Sequence, residues 1–130
     1  MAKKKYGVDI PKEYKIKPDE LEAAWILVKH YKTDVKVLKP SDRFMQSTAD
    51  FIINDVQYEL KTPITSKVDK IERMIRRATK QSGNVIVYMR DTKITEKRMI
   101  EICKDRLQHV KKLKKVILIN KSKKILEFTK

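Results

Sequence analysis

The stretch Asp50-Phe51-Ile52-Ile53-Asn54-Asp55-Val56-Gln57-Tyr58-Glu59-Leu60-Lys61 decides how the chain is read. Two runs rich in β-branched and aromatic residues flank Asn54-Asp55, a pair that tolerates the left-handed backbone of a two-residue hairpin turn, though less readily than Asn-Gly. Such a turn places Ile53 opposite Val56, Ile52 opposite Gln57, Phe51 opposite Tyr58 and Asp50 opposite Glu59. Side chains alternate along a strand, so Phe51, Ile53, Val56, Tyr58 and Leu60 form an apolar face, and Asp50, Gln57, Glu59 and Lys61 share the other. Opposed residues have Cβ atoms about 4.5 to 5.5 Å apart. Two carboxylates so placed repel by about 4 kcal/mol at an effective dielectric of about 20, so positive charge is expected between them. Lys61, about 6.5 Å beyond Glu59 on the same face, is one source. A divalent cation is another, and oxygen-only ligands favour Mg2+ or Mn2+, hard ions that engage substrate phosphates. A solvated hairpin face with Lys61 as a simple ion partner is the competing explanation.

Outward from the hairpin, helices and strands alternate. On the amino-terminal side, Leu21, Ala24, Trp25, Val28 and Tyr31 recur at helical spacing after Pro18-Asp19-Glu20, giving a helix as far as His30 to Lys32. Val35 to Leu38 reads as a strand and Lys39 to Thr48 as a loop. On the carboxy-terminal side, Ser66 and Asp69 form a capping-box-like start. Val68, Ile71, Met74, Ile75 and Ala78 then line a second helix ending near Gly83. Val85 to Met89 is a continuous apolar run suited to a buried central strand, so the second helix is expected to cross over to a parallel strand. Thr95-Glu96 opens a third helix with Met99, Ile102, Cys103, Leu107 and Val110 inward. Val116 to Ile119 and Ile125 to Phe128 close the chain as a hairpin about Lys121-Ser122-Lys123. The expected fold is α/β: a single domain from residue 18 to 130, with a central mixed sheet and flanking helices, preceded by a loosely packed basic arm over residues 1–17.

Composition supports one domain, since 130 residues at 41% hydrophobic content leave too little for two cores. The apolar runs are far shorter than the roughly 20 residues of a membrane helix. With no signal-peptide pattern either, a cytoplasmic, non-membrane chain is expected. One cysteine, Cys103, lies among apolar neighbours and reads as a buried thiol. Against 17 acidic residues stand 32 lysines and arginines, a net charge of +15 that suits a polyanionic partner. Coding bias and solubility are the alternative reasons for that charge. Lys70, Arg73, Arg77, Lys80 and Gln81 lie off the apolar stripe of the second helix and are candidates for holding phosphates. Lys111, Lys112, Lys114, Lys115, Lys121, Lys123 and Lys124 form a second basic concentration that would hold a polyanion without reading sequence.

The order helix, strand, strand with Asp50, strand with Glu59-Leu60-Lys61, helix, strand spans Glu20 to Met89 and resembles the core of the PD-(D/E)XK nuclease superfamily. Residues 20–27, 49–53 and 58–61 look like the matching blocks of archaeal Holliday-junction resolvases and of toxin nuclease domains. The nearest resemblance is to the carboxy-terminal nuclease domains of contact-dependent growth-inhibition toxins. Ala49 stands where the naming proline of the motif would be. The resemblance implies a restriction-endonuclease-like fold and metal-dependent phosphodiester hydrolysis. Asp50, Glu59 and the Leu60 backbone carbonyl would hold Mg2+ or Mn2+, Glu20 (or Glu22 as second choice) would complete the site, and Lys61 would assist the attacking water. It tilts the substrate towards RNA, transfer RNA in particular, and implies an acidic inhibitor or immunity protein as partner.

Three other functions compete. A structure-selective, Holliday-junction-resolvase-like DNA endonuclease would share the site. A metal-independent ribonuclease of the barnase or RelE-like kind would depend on His30 or His109, both at helix ends and with no spacing that joins them. A non-catalytic nucleic-acid-binding protein would keep only the fold. Trp25 and Tyr31 fit the packing stripe of the first helix, and Tyr88 suits either packing or base stacking. Nothing in the sequence speaks to oligomeric state.

Overall fold

The computed structural model describes residues 5–39 and 49–130. Its seven strands form one mixed sheet in sequential order, β1 (Val8–Asp9), β2 (Val35–Val37), β3 (Phe51–Ile53), β4 (Val56–Lys61), β5 (Asn84–Tyr88), β6 (Lys115–Ile119) and β7 (Ile125–Thr129). Three helices flank it: α1 (Pro18–Tyr31), α2 (Val68–Ala78) and α3 (Glu96–His109). The α/β fold class read from the sequence is the one observed.

The hairpin has the expected register, Phe51 with Tyr58, Ile52 with Gln57 and Ile53 with Val56. Asn54 and Asp55 both take positive φ, 49° and 65°, as a turn matched to strand twist requires. β4, β5 and β6 run parallel, because α2 and α3 each carry the chain back across the sheet before the next strand. β7 returns antiparallel to β6. Alternation then sorts the central strands between two cores. Phe51, Tyr58, Leu60, Ile86, Tyr88, Ile117 and Ile119 pack with α1, whereas Val85, Val87, Val116 and Leu118 pack with α2 and α3.

Several expectations are corrected. The amino-terminal segment is not a loose arm where it is described. Val8–Asp9 pairs in parallel with Val35–Lys36, and Tyr6, Val8, Tyr14 and Ile16 pack against the α1-side core. These apolar residues carry no regular period, so only the sheet edge that receives them shows their burial. The inward stripe of α1 runs through Glu20, Ala23, Ala24, Leu27 and Val28, and Trp25 is left 42% exposed. The helix is rotated by about one position from the expected stripe, with Ala23, Ala24 and Leu27 fully buried. α2 starts after Lys67 rather than at Ser66 and ends at Ala78 rather than near Gly83. The Thr65 hydroxyl accepts from the Lys67 N–H, which closes a local turn one residue later than a Ser66 cap would. α3 begins as expected, with the Thr95 hydroxyl accepting from the Arg98 N–H at 3.2 Å. Of the loop expected over Lys39 to Thr48, residues 40–48 lie outside the described residues. Among the described residues no helix is long and apolar enough to cross a membrane.

Cys103 is buried on α3, and burial pushes its thiol up to about 12. The native protein is therefore expected to resist thiol-modifying reagents at pH 8 and to react with one equivalent only on unfolding. Rapid stoichiometric labelling of folded protein would contradict the packing of α3.

Candidate metal and phosphodiester site

The site is built where the β3–β4 ladder stops. Its last pair is Phe51–Tyr58, and the chain bends at Asp50. The Asp50 N–H still reaches the Tyr58 carbonyl at 3.0 Å, but its side chain takes over the next position: Oδ2 accepts from the Leu60 backbone N–H at 2.8 Å. A carboxylate thus replaces the carbonyl that a longer strand would offer, and satisfies a donor that would otherwise be stranded. Asp50 and Glu59 meet, as the sequence suggested, although not as a cross-strand pair. Asp50 lies in a notch beside β4, and Glu59 reaches it from within the strand.

Glu59 is 5% exposed, so its face is not the open, solvated one of an isolated hairpin. Its parallel partner Val85 belongs to the core under α2 and α3. Burial, followed by the charge of Asp50 and a hydrogen bond to it, raises the Glu59 carboxyl from 4.5 to about 7, against the lowering effect of Lys61. The Lys61 ammonium stands 3.4 Å from Glu59 Oε2 and remains one-third exposed, so it faces both the carboxylate and the solvent.

α1 brings Glu20 to the same notch. Pro18 opens the helix, and Asp19 accepts from the Thr62 hydroxyl at 2.7 Å, which fastens the first turn to the end of β4. Glu20 Oε1 accepts from the Tyr14 hydroxyl at 2.7 Å and from the Lys17 N–H at 3.3 Å, the latter being one half of a capping box. Glu20 Oε2 and Glu59 Oε1 are buried without any hydrogen-bond partner. Glu20, Asp50 and Leu60 line one cavity of about 190 Å³ together with Tyr14, Lys15, Lys17 and Asp19. Glu22 is turned elsewhere, held by the Tyr88 hydroxyl at 2.9 Å and by Arg90 at 3.3 Å. This also gives Tyr88, buried and tied to α1, a packing role.

Two orphaned buried oxygens beside a repelling carboxylate pair fit a hard cation in chemistry and in charge. Among the described residues no three His, Cys, Asp or Glu side chains stand ready as a complete metal cluster. Mg2+ does not require one, since it commonly binds through one or two carboxylates and keeps several waters.

The remaining sequence candidates are more dispersed. α2 runs from the end of β4 back to the start of β5, so Lys70 and Arg73 lie towards the site whereas Arg77, Lys80 and Gln81 lie towards the opposite end of the sheet. Arg73 is 3.9 Å from Asp69, an exposed pair of little energetic weight. His30 is on α1 and His109 on α3, across the sheet from one another, with His109 beside Asp105 at 3.1 Å. They form no joint acid–base pair. Sequence reading missed Tyr14, Lys15 and Lys17, because a non-periodic segment gives no sign of folding back over a distant strand.

Residues 46–125, more than half of the chain, match the family described as the contact-dependent growth inhibition CdiA C-terminal domain. The chain belongs to this family. No curated protein matches it. Among solved structures, a chain of the "CdiA-CT/CdiI toxin and immunity complex from Burkholderia pseudomallei" is similar with a TM-score of 0.71 and 21% identity, over 95% of this chain and 99% of that one. At that identity the likeness is one of fold. The family match runs through the hairpin, α2, β5, α3 and β6, and so includes Asp50, Glu59 and Lys61 of this CdiA C-terminal domain.

The raised carboxyl of Glu59 sets a pH dependence. A carboxyl whose folded pKa lies above its unfolded value destabilises the fold when ionised, so stability is lost as pH rises from about 4.5 to about 7. In excess chelator, Glu59→Gln is expected to gain little over wild type at pH 4.5 and at most about 3 kcal/mol at pH 8. Denaturant unfolding at both pH values measures this, and a stability difference that does not change with pH would sink the carboxylate-pair assignment.

Proposed function

We propose that this CdiA C-terminal domain is the toxic part of a growth-inhibition system and acts as a divalent-metal-dependent nuclease of the PD-(D/E)XK type. RNA, and transfer RNA in particular, is the favoured substrate. The observation that carries the reading is Asp50, which meets Glu59 on one side and shares a cavity with Glu20 on the other, with an unpaired buried oxygen on each of those glutamates, beside the one-third-exposed ammonium of Lys61. Asp50, Glu59 and the Leu60 carbonyl would hold Mg2+ or Mn2+, with Glu20 lining the same cavity as Asp50 and Leu60. When bound, such an ion polarises the scissile phosphate and makes the attacking water more acidic.

The chain's own groups supply the rest. Lys61 donates to the attacking water or to a non-bridging phosphate oxygen, where negative charge grows in the transition state. Its 3.4 Å contact with Glu59 holds the ammonium in position. Tyr14 and the Lys17 N–H fix Glu20 by its Oε1, which leaves Oε2 directed away from the protein's own donors. The +15 charge draws a polyanion to the surface at a rate that falls with salt. The family membership and the toxin–immunity title of the similar structure support a toxin role here. They also support an acidic immunity protein that covers the site, since opposite charge speeds encounter and occlusion needs no change in fold.

Cleavage assays on mixed RNA and DNA, with Mg2+, Mn2+ or excess chelator, test the reading. Asp50→Asn and Glu59→Gln are expected to abolish cleavage while remaining folded, and chelator is expected to abolish it in the wild type. Lys61→Ala should lose about a hundredfold or more in kcat while its metal titration stays near that of wild type. Near-native turnover in either carboxylate variant, or full activity in chelator, would overturn the assignment. Cleavage of branched DNA with RNA left intact would move the substrate to DNA junctions.

A further inference from the structure

The β6–β7 turn presents lysines in a way that the candidate site does not use. Asn120, 8% exposed, accepts through Oδ1 from the N–H groups of Ser122 at 3.0 Å and Lys124 at 2.9 Å, while its own N–H donates to the Lys124 carbonyl at 2.9 Å. The turn is therefore pre-organised. Within it Lys123 has φ 64°, a left-handed conformation that hairpins normally give to glycine. A costly backbone position occupied by a long cation is an outlier that packing does not explain, because the Lys123 side chain is exposed.

Opposite the turn stand Lys29 and His30 of α1. Together they enclose a cleft of about 570 Å³ with an apolar floor of Ile26 and Ile125 and with Lys123 and Lys124 on the far wall. No carboxylate lines this cleft, and among the described residues Lys29, His30, Lys123 and Lys124 form no ion pair. Glu127 is already occupied by the Tyr31 hydroxyl and by Lys115 at 3.2 Å, and these together with His30 hold its carboxyl below its usual range. Trp25, exposed and one helical turn before Lys29, offers an aromatic face on the same ridge of α1.

The location matters as much as the charge. Lys61 lies level with Val87, and Val87 with Leu118, so the turn that follows Ile119 projects from the same end of the sheet as the carboxylate site. β4 and β6 are two strand spacings apart, about 10 Å. One linear polyanion can reach both places, whereas the far end of α2 is on the wrong side of the sheet.

We propose that the cleft between α1 and the β6–β7 turn is a second nucleic-acid contact, in which Lys29, Lys123 and Lys124 grip backbone phosphates a few nucleotides from the scissile bond and Trp25 stacks on an unpaired base. This rests on the nuclease reading for its register, but not for its existence. A surface of lysines with an exposed indole, with no carboxylate in its lining and in line with the proposed phosphodiester site, suits a nucleic acid better than an acidic protein.

The test uses the full chain carrying Glu59→Gln, a fluorescent RNA hairpin with a single-stranded end, and anisotropy over a salt series. Adding Lys29→Gln, Lys123→Gly and Lys124→Gln is expected to flatten the slope of log affinity against log salt by about two units, as for two to three lost phosphate contacts. Lys123→Gly alone should weaken binding while raising Tm by about 3 °C, because glycine relieves the left-handed strain. In the Glu59 background of the wild type, the same triple change should raise KM for RNA and leave hydrolysis of bis(p-nitrophenyl) phosphate unchanged. An unchanged salt slope overturns the inference, including the case in which the triple variant instead loses affinity for an acidic protein. A flattened slope in a protein that cleaves no phosphodiester upholds the cleft and discards the nuclease reading.

Discussion

The 2.8 Å hydrogen bond from the Leu60 N–H to the Asp50 carboxylate is the constraint on which the site depends. A backbone carbonyl at that position would extend the β3–β4 ladder by another pair, and the sheet would close. A carboxylate ends the ladder while leaving no stranded donor, and it plants a negative charge at the strand end where Glu59 already lies buried. The remaining features answer that charge. Lys61 contacts Glu59, the first turn of α1 is tied to Thr62, and Glu20 is held by one oxygen only. The orphaned oxygens of Glu20 and Glu59 are then a local excess of acceptors that a cation would satisfy.

The two cores give this notch its position. α1 covers one face of the sheet and α2 with α3 the other, so the parallel strands β4, β5 and β6 all deliver their carboxy-terminal ends to the same side. Sites in open α/β sheets gather at such ends, where loops leave the strands and helix starts approach them. Here that edge carries the Asp50–Glu59 pair in a chain of strongly positive net charge.

The hairpin and its register were legible because the alternation of Phe51, Ile53, Tyr58 and Leu60 and the Asn54-Asp55 turn are local signals. The α2 crossover was legible from the unbroken apolar run that becomes β5. Other features were not, for physical reasons. A hydrophobic stripe shows period but not phase, so the spacing puts Trp25 inside, whereas the observed rotation of α1 buries Ala23 and Ala24 and leaves Trp25 exposed. The segment from Tyr6 to Ile16 has no period, so its docking, and the contact of Tyr14 with Glu20, depends on tertiary structure alone. The bend at Asp50 was hidden because a side chain imitating a backbone acceptor leaves the strand pattern of the sequence intact. Lys70, Arg73, Arg77 and Lys80 are exposed, but their direction relative to the site follows from the crossover and not from their spacing.

Anomalous diffraction from crystals grown with Mn2+ tests the central claim most directly. The account predicts an anomalous peak in the notch at the end of β4, with Asp50 and Glu59 as ligands and Glu20 facing it, and the loss of that peak in Glu59→Gln. Ordered crystals with manganese bound elsewhere, or with Asp50 and Glu59 still paired to each other around a shared proton at pH 8, would contradict it.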